Sequence, residues 1–169
     1  MLECMTNLNG TPEKPVSQQG LVQTQKMITL AMAGTLVMLA VIVWVILDVE
    51  ETSVFGWALA VLAPAVSYLL SRASIFIVRT VPEGASLEQA FSSYFFITMA
   101  LAECPGLVLF ALGFVVPLSP LQLSVGLVLT AIVVALVLLP TRARAQAFVD
   151  RATERTAYRP DVDEFLATF

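Results

Sequence analysis

Four apolar runs dominate this chain, and the length of each is what most restricts the fold. Residues 27–47, 54–70, 91–116 and 121–139 are almost wholly hydrophobic. At 1.5 Å rise per helical residue, about 20 residues cross the ~30 Å hydrocarbon core of a bilayer. In lipid every backbone N–H and C=O must find its partner within the protein, which makes helices the natural form for such runs. The sequence therefore predicts an all-α integral membrane protein, a four-transmembrane-helix bundle. Its composition fits: 13% of residues are charged, about half the ~25% of an ordinary soluble domain.

The remaining charges are segregated. All nine Lys and Arg residues lie before residue 27, within 72–79 or after Pro140. The loops at 48–53 and 117–120 have none. The positive-inside rule then puts both termini and the central loop in the cytoplasm, an N-in/C-in topology. Trp44 and Trp57 mark the opposite interface. The expected location is the cytoplasmic (inner) membrane of a bacterium, with the lipid bilayer as the first partner.

This divides the chain into three parts. Residues 1–20, rich in Asn, Gln, Pro, Gly and Ser, are expected to be a disordered cytoplasmic tail. Residues 21–140 form the membrane domain, whose first span is expected to serve as the targeting signal. Ser86 and Gln89 suggest a capped helix start ahead of the third span, and Pro64 should kink the second. Residues 141–169 form a cytoplasmic tail. Its first part, from Thr141 to Arg155, reads as an amphipathic helix lying on the membrane or in a partner groove. Its last residues, from Asp161, read as a solvated end or a short docking peptide.

Several classes of function find no support in the residues. There is no histidine, so the commonest general base and metal ligand is missing. Cys4 and Cys104, the two cysteines, have no metal spacing and no reason to pair. No basic surface suggests nucleic acid, and no nucleophile–base dyad suggests an enzyme. No cofactor is expected. The polar residues Thr29, Ser67, Thr98 and Ser124 are expected to bond to backbone.

One ionisable residue lies inside the apolar runs. Glu103 is at the middle of residues 91–116. An intramembrane carboxyl is a functional-site hypothesis by default. Keeping a glutamate neutral at pH 7 costs roughly 3.7 kcal/mol, and charging one at the bilayer centre costs from ~3 to more than ten. The two forms are close enough for water access or a neighbouring charge to move a proton. Ala102 and Gly106 form a small-xxx-small pair around it. Pro105 frees the carbonyl of Leu101 at the same depth. Thr35 and Thr130 are the expected hydroxyl partners. Glu103 is thus read as a proton- or ion-binding site, with Thr35, Ala102, Pro105, Gly106 and Thr130 supporting it. The alternative is a non-transporting accessory or assembly subunit in which Glu103 is an interhelical hydrogen bonder. Either reading suits a homo-oligomer or a subunit of a membrane complex.

Residues 79–117 resemble the proteolipid subunit c of rotary ATP synthases. Arg79-Thr80-Val81-Pro82-Glu83 is similar to that family's Arg-Gln-Pro-Glu loop, without the Gln. Ala102-Glu103-Cys104-Pro105-Gly106-Leu107 is similar to its acid-bearing second helix, and Gly56, Ala58 and Ala60 echo its small-residue stripe. The resemblance implies a helical hairpin in an oligomer, with Glu103 as the proton-carrying carboxyl.

Overall fold

A computed structural model describes residues 16–47, 52–77, 87–153 and 166. These form five α-helices, and no strand occurs among them. They are α1 (Val16–Ile46), α2 (Val54–Ala73), α3 (Leu87–Leu112), α4 (Pro120–Leu138) and α5 (Arg142–Thr153), with a 3₁₀ turn, Ser74–Ile77, after α2. Four of them contain segments long and apolar enough to cross a membrane: Val22–Ile46, Val54–Phe76, Gln89–Leu112 and Pro120–Leu138. Their outer faces carry large apolar side chains in the open, such as Val45 at 84% and Val54 at 89% exposure. Water would not tolerate so much apolar surface, and hydrocarbon does.

Element ends differ from the sequence reading in two places. Residues 16–20, expected to be disordered, are the first turns of α1. No proline or cap interrupts the chain between Val16 and the apolar run, so the helix extends back from it. Helix α3 stops at Leu112, short of the expected end at residue 116. Beyond it the backbone tightens to i→i+3 bonds, from Phe114 N–H to Ala111 O (3.2 Å) and Val115 N–H to Leu112 O (3.0 Å). Gly113 lies against Leu123 at this point, and Pro117 cannot continue a helix. The expected Ser86 cap and the 79–83 loop lie outside the described residues. A full capping box occurs instead at α4, where Ser119 and Gln122 bond reciprocally and Pro120 occupies the first turn.

Helix α4 is the hub. It packs against α1, α2 and α3, whereas α1 touches α3 only lightly. Five contacts fix the register. Ser124 Oγ donates to Ala40 O at 3.0 Å, which ties α4 antiparallel to α1. Gly113 meets Leu123, and Gly106 meets Thr130, which sets α3 antiparallel to α4. Gln122 Nε2 donates to Ser53 O at 2.6 Å, and Gly126 lies against Ala60, so α2 and α4 run parallel. A methyl at Gly126 would stand 3.0 Å from Ala60 Cα, so only glycine allows this approach. The buried seam of α1 follows the same logic: Val22, Thr29, Leu36 and Val43 repeat every seven residues.

The α1 start and the α4 end share one end of the molecule with Arg72, and it is called the basic end below. The opposite end carries Trp44 and Trp57. At the basic end α5 turns back onto α3. Phe148 packs edge-on to Phe91 (centroids 5.3 Å apart) and stacks with Tyr94 (5.4 Å). Ala145, Val149, Ala152, Leu87 and Leu166 complete this second apolar cluster. The apolar face of the amphipathic helix is therefore covered by its own chain, not by lipid.

Candidate functional site

Glu103 lies on the inner face of α3, 6% exposed. The buried residues of that helix include Thr98, Ala102, Glu103 and Leu109, so the carboxyl shares a face with the packing seam. Gly106, one turn on, is closely approached by two neighbouring helices. A Cβ there would lie 3.1 Å from side-chain carbons of both Leu36 on α1 and Thr130 on α4. By the same antiparallel register Glu103 falls level with Ala33 and Val134, one turn nearer the basic end. The residues level with it on α1 and α4 are apolar, and α1 and α3 touch only lightly.

The carboxyl makes no hydrogen bond and no ion pair among the described residues. Thr130 is fully buried beside Gly106, but its hydroxyl donates to Gly126 O at 2.8 Å. Thr35 is exposed, and its hydroxyl donates to Ala31 O at 3.1 Å. Leu36, not Thr35, faces the site, because one residue turns a helix by about 100°. The two expected partners thus spend their protons on their own helices. Ala102, at 0% exposure, contributes through its backbone: its carbonyl accepts from Ser67 Oγ on α2. Pro105 and Cys104 are turned to the other side, where they line an apolar groove of about 290 Å³ with Leu59, Val66 and Val108.

The hydroxyls expected to bond to backbone do so, but two of them cross between helices. Thr29 donates to Gln25 O and Thr98 to Tyr94 O within their own helices. Ser67 and Ser124 donate to carbonyls of α3 and α1. Residue type gave no hint of which would cross; that depends on helix rotation. Two further polar groups went unread in the sequence. The amide of Gln25 and Nη1 of Arg144 are buried with no hydrogen-bond partner among the described residues. Arg144 had a signal, since it follows Pro140 at the end of a span where headgroups begin.

Helix α3 thus holds a carboxyl on its packed face, flanked by small residues and left without a partner among the described residues. No protein-family model, curated protein or solved structure matches this sequence, so its chemistry is read from the residues alone.

Proposed function

We propose that this chain is a four-helix membrane bundle, N-in and C-in, in which Glu103 takes up and releases a proton or small cation as part of an oligomer or larger membrane complex. The observation that carries this reading is the carboxyl itself, nearly buried in an apolar seam with no hydrogen bond among the described residues. A glutamate kept as interhelical glue would be expected to bond across a helix pair, as Ser67 and Ser124 do. A carboxyl without a partner within an apolar span is costly, and such cost is tolerated where function needs it.

The test is a comparison of wild type with Glu103→Gln and Glu103→Leu after reconstitution. A hydrophobic carbodiimide should label wild type at Glu103 in a pH-dependent way. Glu103→Gln should keep the fold and oligomer yet abolish labelling and any ion-linked activity. Unchanged activity, with assembly lost only in Glu103→Leu, would leave a structural subunit instead. Single cysteines placed in a cysteine-free background test topology. Those at 48–53 should label from outside and those at 79–90 from inside.

A further inference from the structure

At the basic end the structure contains a second polar site, unconnected with Glu103. A cavity of about 540 Å³ opens between the end of α2, the end of α4 and the start of α5. Its polar lining includes Arg72, Arg144, Tyr68 and Ser71, and its apolar lining includes Leu136 and Val137. No carboxylate lines it among the described residues. Arg72 is held in place by Tyr68: Nε donates to the phenol oxygen at 3.2 Å, and the guanidinium lies over the ring, 5.4 Å from its centroid. Ser71 donates to Tyr68 O at 2.7 Å. Arg144 makes no ion pair among the described residues, and its Nη1 is buried without a partner.

Each feature points to an anion. A buried guanidinium nitrogen is costly unless it donates to something. Arg144 also lies in the first turn of α5, together with Arg142, and that turn has no acid. Cations at a helix N-terminus oppose the macrodipole, and an anion placed there relieves both effects. The location selects the anion. Arg72 ends one apolar span and Arg144 follows another, which is the depth of lipid phosphates. Two guanidiniums suit the fork geometry of phosphate, and the apolar wall from α4 suits a hydrocarbon body attached to it.

We propose that this cavity binds an anionic phosphate group, with Arg144 and Arg72 as its donors. The source is either a lipid headgroup or a free phosphate compound. The full-length protein, delipidated in neutral detergent, is titrated with dioleoylphosphatidylglycerol, dioleoylphosphatidylcholine or inorganic phosphate while its thermal unfolding is followed. Saturable stabilisation by phosphatidylglycerol over phosphatidylcholine is expected. Arg144→Gln and Arg72→Gln should each raise the half-saturating concentration by about tenfold, the loss of a charge-assisted bond. Arg142→Gln, on the exposed side of α5, should leave it nearly unchanged. If Arg144→Gln does not fold, Arg144→Lys keeps the charge without the fork and should fall between. Inorganic phosphate reproducing the whole shift assigns the site to a free phosphate compound, and phosphate without effect assigns it to lipid. Equal response to both lipids with none to phosphate would mean acyl-chain binding without recognition of the anion, equal loss in Arg142→Gln would mean diffuse attraction, and either overturns the proposal.

Discussion

The two halves of the helical body treat their polar groups differently. At the tryptophan end every buried polar side chain named above has a partner. Gln122 bonds Ser53 and Ser119 together, and Ser124 bonds α4 to α1. Toward the basic end, Glu103, Gln25 and the Nη1 atom of the half-buried Arg144 have none among the described residues. The same helices pass through both halves, so differences of fold do not explain this. In the first half polarity fastens helices to each other. In the second, Ser67 and the Ser74–Thr98 pair still fasten α2 and its 3₁₀ turn to α3, while these three groups are held in reserve, which is the arrangement expected of groups that meet something other than their own chain.

Substitutions can break or sharpen that contrast. The largest effect should come from Gly126→Val, which drives a branched side chain into the backbone of Ala60. Overpacking of this kind costs ~1–3 kcal/mol, and the upper end is expected because backbone cannot give way. Unfolding in a denaturing detergent measures it; a variant as stable as wild type would mean that α2 and α4 are not in close contact. Gln122→Ala comes next. It removes the bond to Ser53 O and half of the capping box, for about 1–2 kcal/mol in the same assay. Ser124→Ala should cost less, about 0.6 kcal/mol, the mean for hydrogen bonds between membrane helices.

Glu103→Leu is expected at the bottom of the series, with stability within roughly 0.5 kcal/mol of wild type or above it, because a buried polar group without a partner contributes nothing to lose. A fall as large as that of Gln122→Ala would erase the contrast and place Glu103 among the fastening groups of the assembled protein.

Much of this architecture was legible in the sequence because the bilayer sets a length scale. Four apolar runs announce four long helices, and Pro140 separates the last of them from α5. What lipid removes is the amphipathic stripe. Both faces of α1 are apolar, so nothing in the residues says which one packs. Thr35 was read as a partner for Glu103, and the neighbouring Leu36 took that place. Thr130 lies beside Gly106, one turn from the acid, but its hydroxyl is engaged with Gly126 O, a common fate of threonine in helices. The fate of α5 was hidden for a different reason. Its apolar face is evident from Phe148, Val149 and Ala152, but an apolar face does not name its cover, and the start of α3 with Phe91 and Tyr94 provides one.

The hub position of α4 has a consequence for biogenesis. The ribosome delivers α4 last of the four long helices, yet α1, the first to be made, finds most of its packing there. Until α4 enters the membrane, Leu36, Ala40 and Val43 have no lasting neighbour, and α2 and α3 form only a pair. The insertion machinery must therefore keep the first helix in the membrane while two more are translated. A nascent chain halted before Pro120 should remain open to membrane proteases and become resistant once α4 is added. The last of the four long helices acts as the keystone, and its arrival is the checkpoint at which a correctly made bundle becomes distinguishable from an unfinished one.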